Sequence, residues 1–398
     1  MPDENAARLL DGRAWEDFCR RLAEAGRWAL EFPQPEHPEL RAEGFRYLLG
    51  LVVSGVAQAG ALADPERPRF VRNPDSQAKW GAENADNQYL WACIRPDASY
   101  RIHGQRETAL DFLIEVKEGY MQLGQAKNYA TLAAHDLVFA PAGSFEILLA
   151  AERPAGHTGN FLALHPDARY LGIRQYFYDW AHESPARFTI ERVAGAGEPP
   201  PPLTPARMAE LLDAAGAWTL DTARFWGEWV NDLRRAWRPD HIAPAKHFVG
   251  GADDIVYGND WWKLAAGDAL VIECDVPDAR YWAFQLCDAW FRTFDYATRQ
   301  TSLNGAQMHV DPDGRFRCVI AHVDPGAPNW LDACGQPEGM IQYRFVWARS
   351  RPQPTLRRVP LRELRGALPA GHPSVSPEER RRTVAAREAH VQRREPAT

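Results

Sequence analysis

The chain has 398 residues, 45% of them apolar and 25% charged, ordinary globular usage that excludes whole-chain disorder and fibrous repeats. It exceeds the roughly 250–300 residues at which a single core stops growing, so two domains are expected. A net charge of -7 gives phosphate backbones no long-range attraction, which argues against a nucleic-acid partner.

In chain order, "NAARLLDGRAWEDFCRRLAEAGRWAL" spaces Leu9, Leu10, Trp15, Phe18, Leu22 and Trp28 by threes and fours, which predicts helix. The acidic N-terminal stretch lacks the basic-then-apolar layout of a signal peptide, so cytoplasmic residence is expected. "HPELRAEGFRYLLGLVVSGV" predicts a second helix with Pro38 near its start. The apolar run 47–62 is shorter than the about 20 residues a membrane span needs and carries Ser54 and Gln58. It reads as a buried helix, and no membrane partner is expected.

From about residue 88 the period switches to two. "QYLWACI", "YRIHG", "FEILLAA", "YLGIRQYFYDW" and "ARFTIERV" read as strands, whereas "ETALDFLIEVKEGYMQL" fits helix or strand equally. "AGAGEPPPPLTP" (194–205) reads as an extended linker, because consecutive prolines continue neither a helix nor a central strand. A long helix should follow, with Thr204 as N-cap and Pro205 at its first position. "ALVIECDV", "RYWAFQLCD", "GRFRCVIAHV" and "MIQYRFVWA" return to strand. The Arg/Pro-rich tail ends in a helix capped by Ser376, and its arginines read as a solvated face or as packing on acidic surface elsewhere.

This pattern predicts an α+β, predominantly β chain, with two antiparallel β-sandwich or jelly-roll-like domains. The expected boundaries are a helical segment at 1–65, a first β-rich domain at 66–195, linker and helical connector at 196–249, a C-terminal sandwich at 250–350 and a tail at 351–398. One turn recurs: Pro-Asp-Ala-x-Tyr at 96–100, 166–170 and 277–281, with Pro-Asp-Gly-Arg-Phe at 312–316 as a variant. Proline presets the second position of a type I turn, Asp closes the corner, and the aromatic starts the returning strand. The repeat therefore marks hairpins, on both sides of the linker, and suggests two domains of similar build.

The blocks "GAENADNQYLWACIRPDASYRIHG" and "ALVIECDVPDARYWAFQLCDAWFRTFDYATRQTSLNGAQMHVDPDGRFRCVIAHVDPGAPNWLDACGQPEGMIQYRFVWA" resemble bacterial proteins carrying domain of unknown function 1214, often paired with domain of unknown function 1254. "ENADN" has Ala85 where that family's Asn-Pro-Asp-Asn has proline. The resemblance implies a β-sandwich carrying helices and implies no particular reaction.

Signatures for ATP, dinucleotide and zincin chemistry are missing, and the six cysteines form no C-x-x-C pair. No cofactor and no metal are expected; His309, Asp311, His322 and Asp324 are the residues from which a scattered metal site would have to be assembled. Fifteen Trp, 12 Tyr and 17 Phe suit an aromatic-lined cleft, or equally a sandwich core. The loop "AHVDPGAPNWLDACG" presents His322 and Asp324 as an acid/base pair, with Asn329, Trp330 and Asp332 as binding groups. The plainer reading is that these carboxylates cap their own loop. Tyr296, Arg299 and Asn304 form a second group, in which Arg299 clamps an anion or pairs with Asp295 or Asp324. Arg174 and Tyr176 form a third, on one face of a strand, with Asp179 as the alternative partner of Arg174.

The function these residues predict is a cofactor-independent enzyme, a hydrolase, lyase or isomerase, acting by acid/base chemistry on a partly apolar or anionic small molecule. The alternative is a non-catalytic module that binds a carbohydrate or lipophile. Homo-oligomerisation is compatible with either.

Overall fold

The computed structural model describes residues 3–32, 38–59, 64–195, 202–248 and 254–395. Half of the expected linker, residues 196–201, lies outside them. The chain is α+β, with four open sheets divided between two compact units. The first unit comprises Met1–Trp80, Asn87–Phe177 and Ser184–Gly227, and the second Gly81–Asp86, Tyr178–Glu183 and Glu228–Thr398. The expected tail is therefore part of the second unit, and two short central segments join it as well.

In the first unit the expected helices are α1 (Glu4–Leu10), α2 (Arg13–Glu31) and α3 (Pro38–Ala59). Its strands are β1 (Val71–Arg72), β2 (Asn87–Cys93), β3 (Tyr100–Gln105), β4 (Asp111–Lys117), β5 (Asn128–Ala133), β6 (Ser144–Ala150), β7 (Asn160–Ala163), β8 (Tyr170–Tyr176) and β9 (Arg187–Arg192). They form sheets ordered β1-β2-β8-β4-β5 and β7-β6-β3-β9. One apolar cluster takes Phe112, Ile114 and Ile173 from the first sheet and Ile102, Ile147 and Ile190 from the second. The ambiguous segment 107–123 is strand β4 followed by a short turn. All seven residues of β4 are buried, which erases the alternation that marks a half-exposed strand.

Helix α4 (Pro205–Arg235) starts at the expected proline. In the second unit, β10 (Ile255–Lys263), β16 (Glu338–Ala348), β12 (Ala279–Cys287) and β13 (Ser302–Asn304) form one sheet in that order. The other is β15 (Trp330–Asp332), β14 (Arg315–Ala321), β11 (Asp268–Asp275) and β17 (Thr355–Pro360). Trp282, Phe284, Ile341, Tyr343 and Phe345 meet Ile272, Phe316, Cys318 and Ile320 in one core. Helices α5 (Leu364–Ala367) and α6 (Pro377–Arg394) end the chain.

The two units repeat one topology. Each strand from β2 to β9 has a counterpart eight places on: β2-β8-β4-β5 matches β10-β16-β12-β13, and β7-β6-β3-β9 matches β15-β14-β11-β17. Even the two departures from an antiparallel design correspond, since β6–β7 and β14–β15 are both parallel. The recurring turn joins β2 to β3, β7 to β8, β11 to β12 and β13 to β14. These are not equivalent connections in the two units. The hairpin expectation fails for the three Pro-Asp-Ala-x-Tyr copies: in each case the two strands joined lie in different sheets of their unit, so the turn is a corner between sheets. The 312–316 variant, by contrast, closes a short hairpin in which Val310 bridges Phe316. The motif is local turn chemistry, and the duplication shows in strand order and strand direction.

No helix among the described residues is long and apolar enough to cross a membrane.

Candidate active site

Period-two alternation gives the β10-β16-β12-β13 sheet two different faces. Trp282, Phe284 and Leu286 point into the core with Ile341, Tyr343 and Phe345. The residues between them put Tyr281, Gln285, Ser302, Asn304, Gln342 and Arg344 on the opposite face, and all are buried. Burying so much polarity demands partners. Segments 81–86 and 178–183 and helix α6 supply them.

Asp86 is the hub. Its Oδ2 accepts from Tyr281 Oη at 2.6 Å, and its Oδ1 accepts from Trp180 Nε1 at 2.8 Å and Asn304 Nδ2 at 2.9 Å. Asn84 Nδ2 donates to the same phenol at 2.8 Å, and Asn84 Oδ1 lies 3.0 Å from it as a second acceptor. Gln285 ties down the loop, accepting from Ala85 N at 3.1 Å and donating to Glu83 O at 2.9 Å. Loop backbone is also strained: Ala82 has φ 45° and Phe291 φ 60°, and Ala82 N donates to Phe291 O at 2.8 Å. Non-glycine residues in this region cost about 1–3 kcal/mol each and cluster at functional sites.

Electrostatics single out the same group. Burial raises the Asp86 carboxyl above its ordinary value, against the hydrogen bonds from Tyr281 and Asn304 and the charges of Arg394 and Arg387. Burial and the neighbouring carboxylate push the Tyr281 phenol well up. Arg387 is buried enough to fall to about 10. Its guanidinium lies 4.5 Å from the Trp180 ring centre and donates to Tyr296 O at 3.0 Å and Ser302 Oγ at 2.7 Å. Arg394 sits over the Trp180 and Tyr296 rings at 5.2 and 5.3 Å. The residues Arg380, Arg387 and Arg394 recur every seven positions on one stripe of α6, and all three are buried. The solvated-face expectation fails for this stripe, although Ser376 is the N-cap as expected, in a capping box with Glu379.

Of the residues singled out from sequence, Asn304 and Tyr296 join this site. The pair His322 and Asp324 is otherwise engaged: His322 Nε2 faces Leu264 O at 3.2 Å, and Asp324 accepts from Arg380 Nε and Gly326 N, both at 2.9 Å. Asp332 pairs with Arg299 at 2.8 Å and caps Cys334 N at 2.8 Å, so the clamp closes on neither Asp295 nor Asp324. Asn329 holds both backbone groups of His309, at 2.8 Å each. Trp330 donates to Ala321 O at 3.0 Å and lies under Arg380. Arg174 and Tyr176 belong to the first unit, where Arg174 pairs with Glu115 at 3.0 Å. Its alternative partner, Asp179, bonds His182 at 2.7 Å. The scattered metal set converges by half: His309 and Asp311 meet, and their third neighbour is His372.

The family model that matches is "Protein of unknown function (DUF1254)", over residues 230–350. This is the block read above as resembling domain 1214; the model matched is its partner, 1254. A crystal structure of an uncharacterized protein from Burkholderia cenocepacia is similar at 34% identity and TM-score 0.85, over 91% of this chain and 100% of that one. The chain belongs to that protein's family. A Vibrio parahaemolyticus protein aligns at 11% identity and TM-score 0.48, over 81% of this chain and 99% of its own. No curated protein matches.

Reading the sequence missed Asp86, Tyr281, Trp180, Arg387 and Arg394. One signal was present: "ENADN" packs four polar residues into five positions immediately before a strand.

Proposed function

We propose that this protein is an enzyme of small-molecule metabolism that moves a proton on a partly apolar, anionic organic metabolite. Asp86 is the acid/base group, Tyr281 its hydrogen-bonded partner, and Asn84 and Asn304 the groups that orient both. The observation that carries this reading is the fully buried Asp86 carboxyl, held by three donors and raised above its ordinary value by burial. Arg387 and Arg394, backed by Trp180 and Tyr296, supply positive charge and flat apolar walls for the metabolite. We read the two-sheet layering of the second unit as a jelly-roll-like sandwich whose polar outer face is the working surface.

Asp86 is 1% exposed, so turnover requires a covering segment to move. Segment 178–183 suits that part, since Asp179, Ala181 and His182 face solvent and Trp180 is its one buried side chain. This reading gives Asp324 the task of holding α6 through Arg380.

The test is incubation of wild-type and Asp86→Asn protein with a metabolite extract, followed by mass spectrometry. The proposal expects one or more organic acids to be consumed by the wild type and spared by the variant. A non-catalytic module would instead carry a compound through gel filtration unchanged in both proteins.

A further inference from the structure

We propose that His309, Asp311 and His372 bind one divalent first-row transition ion, such as Zn(II), and that the ion pins the approach to α6 onto the hairpin before β14.

Residues 309–311 are extended, and Val310 bridges Phe316, so His309 and Asp311 share one side of the backbone. The segment that precedes α6 brings His372 to them, fully buried, with its backbone N–H on Pro369 O at 2.9 Å. Asp311 Oδ1 lies 2.9 Å from His372 Nδ1 and 3.3 Å from His309 Nε2. Ligand atoms about 2.0–2.2 Å from a common ion stand about 3.0–3.4 Å apart in octahedral or tetrahedral arrangements, so these spacings fit a shared ion. The three ligand atoms lie within 4.8 Å of one another.

The surroundings favour a cation independently. His309 Nε2 is buried and has no hydrogen-bond partner, an orphan that coordination would satisfy. Arg317 Nη1 holds Asp311 Oδ2 at 2.7 Å, leaving Oδ1 aimed at the histidines, and Asn329 fixes the His309 backbone. Outer partners of this kind orient metal ligands. Around them, among the described residues, the arginine partners of Glu273, Asp275, Asp311 and Asp313 are Arg315 and Arg317, four carboxylates against two guanidinium groups. Two imidazoles and one carboxylate suit a borderline first-row ion better than calcium or magnesium, which prefer all-oxygen sets. The His309 side chain is 32% exposed, which leaves a way in and positions for water.

The experiment uses untagged full-length protein stripped with chelator, then titrated with Zn(II) by calorimetry and with Co(II) by visible absorption. One ion per chain is expected, with d–d bands of a nitrogen/oxygen site and a raised melting temperature. His309→Ala should weaken binding at least about tenfold with an unchanged circular dichroism spectrum, because this ring is partly exposed. His103→Ala, an exposed imidazole beside Glu146 and Glu191 in the first unit, should leave binding intact. Absence of a stoichiometric site, wild-type affinity in His309→Ala, or equal loss in His103→Ala would each overturn the proposal. None of these outcomes depends on Asp86 or on turnover.

Discussion

Replacing Asp86 separates charge from hydrogen bonding within a single side chain. In Asp86→Asn the amide oxygen can keep both Trp180 Nε1 and Asn304 Nδ2, now at 2.8 and 2.9 Å from Oδ1. Its new N–H₂ faces Tyr281 Oη, whose own proton has a second acceptor in Asn84 Oδ1 at 3.0 Å. The three donors that Asp86 serves keep acceptors, and the loss of a costly buried charge offsets the second N–H of the new amide, so the variant should lie within about 1 kcal/mol of wild type. Asp86→Ala takes the acceptor from Trp180 Nε1 and Asn304 Nδ2, at about 1–3 kcal/mol each, for a loss on the order of 2 kcal/mol or more. The pH dependence follows from the raised carboxyl. A folded-state value above the unfolded one, about 3.9, contributes stability that is present below the unfolded value. That contribution is lost as pH rises through the folded value. Asp86→Asn lacks this titration, so wild type should lose ground to it as pH rises. Urea denaturation of the three proteins at several pH values measures both effects. Equal losses for Asn and Ala, or a wild-type advantage that grows with pH, would refute the assignment of Asp86 as a destabilised buried carboxyl.

Three further outcomes are expected. His390 is held neutral, its value lowered to about 3 by burial and by Arg394, so the unfolded chain takes the proton first below about 6.5. Stability is complete above that value and falls with pH; between about pH 7.5 and 5, wild type should lose about 2 kcal/mol relative to His390→Phe in chemical denaturation. Gly258 lies under the Tyr343 ring, 1.9 Å from where a Cβ would sit. Gly258→Ala should therefore cost about 1–3 kcal/mol, while Gly267→Ala, with nothing within 4 Å, should be neutral or stabilising by about 0.4–1 kcal/mol in thermal melts. Arg299→Ala removes a half-exposed partner of Asp332 and should change stability by less than about 1 kcal/mol.

Local chemistry was legible in the sequence, and distant pairing was not. Ser376, Glu379 and Pro377 announced the start of α6 because a cap is made within four residues. The Pro-Asp turns announced reversals of the chain for the same reason, but not that the returning strand joins the other sheet of its unit instead of pairing as a hairpin. The duplicated strand order could only be suspected, because topology is set by which strands pair and neither unit reuses the turn at equivalent joints. The site was hidden by separation along the chain: Tyr281 and Asn304 reach Asp86 across 195 and 218 residues. Charge misled in the other direction. Arg380, Arg387 and Arg394 sit in an arginine-rich run that reads as solvated, yet their seven-residue spacing is a buried stripe whose meaning depends on Trp180, Tyr296 and Asp324. His322 and Asp324 looked catalytic through adjacency on one loop, but adjacent residues in a turn point to different partners. Asn304 was selected on the strength of its polar neighbours, while its hydrogen bond to Asp86, 218 residues away, was not visible.

The most direct test of the account is the rate at which a metabolite extract is consumed by wild type, Asp86→Asn and Asp324→Asn, each first confirmed folded by circular dichroism. The account predicts that the wild type and Asp324→Asn deplete the same organic acid while Asp86→Asn leaves it untouched. Depletion by Asp86→Asn at the wild-type rate would contradict it.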